Sequence, residues 1–506
     1  MANSYKLRFH SPLLPSKLAR AYSMIIMTMK KQLSYVVIVL TLVVAAADTV
    51  EALFTWPKDY VLSNMATLPQ RSVLDGNFRI AVDKSGKHIT SPNGDCALGF
   101  LDHNNSGKFT LSIIFNPFFA SPSSPKGTEI WSANRNNPVG ENSRVVRNSQ
   151  GHLALLDSHG TSVWSSGGSV ESMDLGETGN WVLYNTTNSD LAKENTTVWF
   201  SWQHPTNTLM IGQIFRTGQK LVSNASPTNS SEGRFSLVAE KGGVVLYSSP
   251  HSLPYWAWPF PGLSYQYIKN PCTSGSGSFM VQIVFAADLI SMGNIGDAKV
   301  GEKPNNSSNG SSCFPTADSD TLPFHTFQGE SRLRFLRLDS DGNLRAYMAK
   351  PIRGIMGSNP QVWTSDYELF PSCFNCSLPS VCGPYGVCSN GQCSCPAAMF
   401  TMREPFQPDA GCSTQRPLNL ACRGTKGQQM VEVKGLDYYP NNFLASDAST
   451  ASTAQQCKDL CLSKCACVAS FFRSDLRTCL LTFDSVDSLQ LVSADRRASY
   501  TAFLKV

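Results

Sequence analysis

The stretch "GETGNWVLYN" (residues 176–185) decides how this chain is read. A turn containing Gly179 runs into a segment whose alternate positions hold Asn180, Val182 and Tyr184. Alternate residues of a β-strand point to one face, so one strand offers an amide, a methyl patch and a phenol to a single ligand. The design recurs. "NSQGHLALLD" (148–157), "AEKGGVVLYS" (239–248) and "DSDGNLRAYM" (339–348) each set a glycine-containing turn before an alternating strand. Repeated short strands of one pattern predict related β-sheets that close on one another.

The rest of the composition agrees with a mainly β protein. With 506 residues, 36 glycines, 29 prolines and 10% aromatics, the chain is too long for one ordinary core and is expected to form two to four domains. No long amphipathic helix pattern competes. Near the N-terminus, Lys30 and Lys31 precede the mostly apolar run "QLSYVVIVLTLVVAAA". That run is short for a membrane span and predicts a secretory signal over residues 1–47 with an N-terminal extension. Cleavage is expected after Ala47 or at Ala52, and Met24, Met27 and Met29 are alternative starts; a signal anchor is the rival reading. Removing residues 1–47 takes away six basic side chains and no acid, so the formal charge falls from +5 to −1. Such a balance excludes an electrostatic case for nucleic acid, and no Lys/Arg stripe interleaved with aromatics follows. No second apolar run of membrane length occurs after Ala47.

Sixteen cysteines and nine N-x-Ser/Thr sequons, at Asn104, Asn185, Asn195, Asn224, Asn229, Asn305, Asn306, Asn309 and Asn375, point to the secretory route and to disulfides. Only Cys96, Cys272 and Cys313 lie between residues 48 and 371, whereas thirteen lie between Cys373 and Cys479. The first part must be held by β cores and the second by crosslinks.

A series of ordered motifs carries a resemblance. "IWSANRNNPV" (130–139) and "VWFSWQHPTNTLMIGQ" (198–213) resemble the bulb-type mannose-binding lectin module of plant S-locus glycoproteins and their receptor-kinase relatives. "GRFSL" (233–237) with "RLRFLRLDSDGNLRAY" (332–347) resembles that family's second lectin-like domain, and "CSLPSVCGPYGVCSNGQCSCP" its EGF-like module. "GCSTQRPLNLAC" (411–422) and "CKDLCLSKCACVASF" (457–471) resemble the joint into a PAN domain and its cysteine-bearing helix. The resemblance implies two bulb-lectin β-prism domains (68–200 and 201–350), an EGF-like module (372–413) and an α+β PAN/apple domain (420–506). It also implies the pairs Cys376–Cys388, Cys382–Cys393 and Cys395–Cys412. In the PAN region Cys457 and Cys461 lie four apart on one helix face, which suits Cys457–Cys479 and Cys461–Cys467 and leaves Cys422 with Cys465. Cys272 and Cys313 close a loop in the second lectin domain, while the pattern assigns neither Cys96 nor Cys373.

The family's sugar motif reads Q-x-D-x-N-x-V-x-Y. In the 176–185 copy the Gln position is Gly176 and the Asp position Thr178, so two of three primary hydrogen-bonding groups are gone. The 148–156 copy keeps Asn148, Gln150 and His152 but ends in Ala154 and Leu156, and the 239–247 copy keeps only Val245 and Tyr247. The last copy, Asp339, Asp341, Asn343 and Tyr347, is the most polar and carries Arg345 where an apolar contact belongs. An EF-hand there would need Gly at 344 and Glu at 350, where the chain has Leu344 and Lys350. Redox or zinc chemistry for "CFNC" or for Cys388, Cys393 and Cys395 fits an oxidising compartment poorly. The histidines are scattered, no hydrolase, zincin or phosphate-loop motif occurs, and His204 reads as a turn residue, so no enzyme and no cofactor are expected.

The reading is a secreted recognition glycoprotein of the plant cell surface or wall with a degenerate mannose site. Its expected partners are extracellular proteins, such as S-domain receptor kinases or their ligands, bound mainly through residues 372–506. The alternatives are an active binder of mannose-type or wall glycans using the 339–347 strand, and a structural wall glycoprotein. N-terminal sequencing of the secreted chain is expected to start near Asp48, and deglycosylation to remove the mass of several glycans. Recovery of an unglycosylated full-length chain from cytosol would contradict both.

Overall fold

The computed structural model describes residues 54–56, 60–63, 78–83, 85–115, 127–186, 196–240, 243–249, 252–258, 280–285, 289–295, 321–323, 334–351, 361–371, 376–414, 429–442, 449–483 and 486–506. The expected signal peptide, Cys272, Cys313, Cys373, Cys422 and the sequons at Asn195, Asn305, Asn306, Asn309 and Asn375 lie outside these residues.

Three short lead strands, β1 (Phe54–Thr55), β2 (Leu62–Ser63) and β3 (Phe78–Ile80), open the first half. Three antiparallel meanders follow. They are β4 (Cys96–Asp102), β5 (Phe109–Phe115) and β6 (Thr128–Ser132), then β7 (Arg144–Arg147), β8 (His152–Leu156) and β9 (Ser162–Ser169), then β10 (Ser172–Leu175), β11 (Trp181–Tyr184) and β12 (Thr197–Phe200). The leads join in reverse order, β3 to the first meander, β2 to the second and β1 to the third, which makes three four-stranded sheets. The second half repeats this plan. Its leads are β13 (Thr208–Met210), β14 (Ile214–Arg216) and β15 (Lys220–Ser226). Its meanders are β16 (Asn229–Glu240), β17 (Gly243–Ser248) and β18 (Leu253–Trp258), β19 (Met280–Phe285), β20 (Leu289–Ile295) and β21 (Thr321–Pro323), and β22 (Arg334–Leu338), β23 (Leu344–Pro351) and β24 (Gln361–Glu368). Again the last lead takes the first meander and the first lead the last. The four glycine-turn segments of the sequence supply β8, β11, β17 and β23, in each case the central strand of a meander, where both edges need a partner.

Closure of the first three sheets follows from their inner faces. Leu111 and Ile113 of β5, Leu153 and Leu155 of β8, and Trp181 and Leu183 of β11 are fully buried in one cluster. Trp131, Trp164, Trp181 and Trp199 meet there with ring centroids 5.4–6.2 Å apart. Offset and edge contacts of this kind add about 0.5–1.5 kcal/mol per pair beyond the area buried.

The two β halves are stitched by polar contacts. Arg135 donates to Val222 O (2.9 Å) and to Glu232 Oε1 (3.3 Å), and Arg337 of β22 donates to Thr128 Oγ1 (2.7 Å) and Glu129 O (2.9 Å) on β6. Glu129 in turn accepts from Ser112 Oγ (2.5 Å) and Thr110 Oγ1 (3.2 Å), with His103 Nε2 3.6 Å away. Burial opposes the charge on His103, but the hydrogen bond and charge of Glu129, with Asp102 adding, outweigh it and hold the imidazole above its ordinary 6.5. Glu129, despite burial, is held below the usual carboxylate range by His103, Ser112 and Thr110.

The cysteine-rich part is built onto the second half and is not a separate bead. Cys376–Cys388, Cys382–Cys393 and Cys395–Cys412 close its first segment. Helix α1 (Ala454–Leu462), capped by Thr453 accepting from Gln456 N, is pinned through buried Cys457 and Cys461 to Cys479 and Cys467. Those partners lie in a five-stranded sheet that includes Met430–Lys434, Cys467–Arg473, Thr478–Phe483 and Tyr500–Lys505. Cys465 is disulfide-bonded as well. Backbone pairing crosses the expected module boundary, because Val387–Ser389 runs parallel to Leu489–Leu491 in one sheet. A single apolar cluster then joins Phe235, Leu246 and Leu336 of the second β half to Phe400, Tyr438 and Phe471.

At that joint Asp487, 5% exposed, accepts from Arg234 (2.5 Å), Ser248 Oγ (3.2 Å) and Tyr439 OH (2.9 Å). Stripping one partner from a buried charge network costs on the order of 2–3 kcal/mol after allowance for the half-exposed Arg234. Asp487→Ala is therefore expected to lower the melting temperature while sheet and disulfide regions still unfold in one transition; two separated transitions in calorimetry would show independent modules. The His103–Glu129 pair predicts a second effect. A raised imidazole pKa gives stability that is complete below the unfolded value and is lost as pH rises through the folded one, whereas the lowered Glu129 pKa gives stability lost only in stronger acid. Wild-type protein should thus be more stable near about pH 5.5 than near about pH 8, and His103→Gln should flatten that difference in thermal melts.

Candidate carbohydrate site

On β11 the inner residues Trp181 and Leu183 are fully buried, which turns Asn180, Val182 and Tyr184 to the other face. The turn before it is closed by Gly176 N donating to Asn180 O (2.9 Å) and Gly179 N to Gly176 O (2.9 Å). Gly179 has φ +82°, and a Cβ there would lie 2.4 Å from Ile130 Cδ1 and 3.1 Å from Cys96 Sγ. The thiol that no pairing pattern claimed is therefore packed, reduced and buried beneath this turn, its Sγ 3.8 Å from Glu177 O. Burial, with Asp95 adding, pushes the Cys96 pKa up and keeps it a neutral thiol.

One polar atom of this strand, Asn180 Oδ1, is engaged locally. Asn180 Oδ1 accepts long contacts from Ser201 Oγ and Trp202 N, both 3.4 Å, and Ser201 Oγ also accepts from Trp181 N (2.9 Å). Tyr184 is 8% exposed and its phenol is pushed up by burial and by Asp174. A cavity beside the Gly179 turn, lined by Trp131, Ser201, Trp202 and Gln213 among others, measures about 10 Å³. That is room for one water and not for a sugar ring.

The 339–347 copy is polar but closed on itself. Arg345 bridges Asp339 (2.8 Å) and Asp341 (2.7 Å) and lies 3.5 Å from Glu368. Tyr347 OH donates to Asp339 Oδ2 (2.7 Å). Asn343, 1% exposed, spends its amide on Phe370, donating to its O (2.9 Å) and accepting from its N (3.1 Å). Burial holds Asp339 above its usual range against the pull of Tyr347 and Arg345, and burial with Asp339 pushes the Tyr347 phenol up. Tyr347 also stacks on Phe335 (5.2 Å), and Phe335 contacts Phe115 of the first half at 6.5 Å. The face that would meet a sugar is thus shared with the contact between the β halves.

The structure leaves the other copies as structural strands. Asn148 Oδ1 accepts from Gln150 N and His152 N within its own turn. Val245 is fully buried, and Tyr247 donates to Glu240 Oε1 (2.7 Å). His204 stacks on Trp199 at 5.5 Å, and its carbonyl accepts from Trp131 Nε1 (2.9 Å). Of the sequons on described residues, Asn104, Asn185 and Asn229 are exposed and Asn224 is half-buried. No group of three metal-ligating side chains occurs among the described residues, and no helix there is long and apolar enough to cross a membrane. Sequence reading missed Arg345 as the internal partner of Asp339 and Asp341; the signal available was its opposite charge six and four residues beyond them at alternate positions.

Comparisons with known proteins point one way. Residues 128–230 match the D-mannose binding lectin family. The chain is 26% identical to EP1-like glycoprotein 2 of Arabidopsis thaliana over 86% of this chain and 93% of that one, and 26% identical to EP1-like glycoprotein 1 over 81% and 90%. It is 25% identical to the G-type lectin S-receptor-like serine/threonine-protein kinase SD2-5 of the same plant, over 84% of this chain and 45% of the kinase. The chain is thus similar, over most of its length, to the EP1-like glycoproteins and to the lectin-bearing part of the G-type lectin S-receptor-like kinases.

Proposed function

We propose that this chain is an extracellular recognition glycoprotein that binds protein partners and has lost mannose binding. One observation carries the reading: in the most polar copy, 339–347, the side chains of Asp339, Asp341, Asn343 and Tyr347 already serve the protein's own groups, while the 176–185 copy lacks the motif's Gln and Asp. A sugar would have to displace Arg345 from two carboxylates, trading hydrogen bonds charged on both sides for ones charged on the carboxylate alone and leaving the guanidinium without those partners. The disulfides of the C-terminal part support an oxidising, extracytoplasmic location. The EGF-like (372–413) and PAN (420–506) assignments belong to the same proposal, supported by the pairing of their cysteines.

An active lectin is the second reading, and it has one observation in its favour. A Cβ at Gly176 would meet only Asn180 O, at 3.6 Å, so the turn has room for the missing glutamine. Titration of the wild type with mannose is expected to give no saturable binding at millimolar ligand. Gly176→Gln with Thr178→Asp, or Arg345→Val, should raise binding into the measurable range. Wild-type binding at millimolar or better, abolished by Asn180→Ala or Asp341→Asn, would establish a live sugar site.

A further inference from the structure

The cysteine-rich segment holds one apolar side chain almost entirely in solvent. Phe406 is 96% exposed, whereas the other large apolar side chains that reach the surface among the described residues are 36–48% exposed. It sits at the tip of a hairpin in which Phe400–Met402 pairs with Cys412–Thr414. The tip is not a loose loop. Arg403 N donates to Gly411 O (3.0 Å), Gln407 N to Glu404 O (3.2 Å) and Ala410 N to Gln407 O (2.9 Å). Pro405 and Pro408 flank the ring and fix their own φ. The base is tied by Cys395–Cys412 and pressed against the neighbouring turn: Gly411 has φ +80°, and a Cβ there would lie 2.4 Å from Pro384 O. A pliant loop would fold its phenylalanine back onto the body; this one is built to hold it out.

We infer that Phe406 is an anchor for a protein partner, inserted into an apolar pocket whose rim carries a basic side chain. The inference rests on the protein-recognition reading above and adds the surface that performs it. A preorganised aromatic that loses little freedom on docking is the kind of residue that dominates interface energies. Its exposed neighbours Arg403, Glu404, Gln407 and Asp409 make a polar rim with one net negative charge. That charge favours a basic rim opposite and disfavours an anionic bilayer.

The test uses full-length secreted protein, wild type, Phe406→Ala and Phe406→Trp, immobilised and exposed to plant extracellular fluid with and without enzymatic removal of N-glycans. Retained proteins are identified, purified and titrated back, with thermal melts as the folding control. Expected is a partner retained after deglycosylation that binds Phe406→Ala roughly tenfold or more weakly and Phe406→Trp within about threefold. Equal affinity for wild type and Phe406→Ala would overturn the surface and leave protein recognition standing. Retention that vanishes with the glycans, or no retained protein at all, would overturn both. Phe406-dependent binding to phosphatidylcholine vesicles, or Phe406-dependent dimerisation in sedimentation, would overturn the proposal in favour of a membrane or a second copy.

Discussion

Trp181 packs against three other tryptophans on the inner side of its strand, and what the outer side can do follows from that contact. A β-strand has two independent faces because its side chains alternate. The inner face of β11 buries Trp181 and Leu183 completely and closes three sheets on one another. Loss of a core tryptophan costs about 3–5 kcal/mol, a large part of a domain's stability. Substitution of an outward Gln or Asp costs the fold little. The fold therefore tolerates substitution at the outward motif positions, and Gly176 and Thr178 stand at two of them.

The second β half shows what an outer face can hold. On β23 the inward residues Leu344 and Ala346 serve the core, while Arg345 and Tyr347 face outward and join Asp339, Asp341 and Glu368 in a closed charge network. Beside it Phe335 and Arg337 reach across to the first half. Once a face holds two halves together, seating a ligand on it requires breaking that contact. The same economy explains the C-terminal region, where disulfides replace a core that short segments cannot build and Asp487 ties the result to β16 and β17 through Arg234 and Ser248.

Rigidity of this kind has a functional side. A chain whose β halves and crosslinked segment share cores presents its exposed features in fixed relation to one another. The backbone carrying Phe406 is braced by proline, hydrogen bonds and a disulfide, which lowers the cost of ordering that segment in any contact it makes. The exposed sequon asparagines Asn104, Asn185 and Asn229 lie on the β halves, away in sequence from that tip.

The sequence by itself determined what depends on local pattern: glycine-turn strands at 148–157, 176–185, 239–248 and 339–348, the concentration of cysteines after residue 372, and a motif lacking its Gln and Asp at 176 and 178. Alternation and turn chemistry are written in neighbouring residues and are legible without tertiary contacts. Tertiary structure alone decided the rest. That three lead strands pair in reverse order, that Cys96 stays a thiol beneath Gly179, that Arg345 fills its own carboxylate pair, and that Val387–Ser389 shares a sheet with Leu489–Leu491 are all facts about partners. Those partners are chosen when the sheets close, because a side chain's hydrogen-bonding and burial depend on what packs against it in space, and one chain pattern is compatible with many such neighbours.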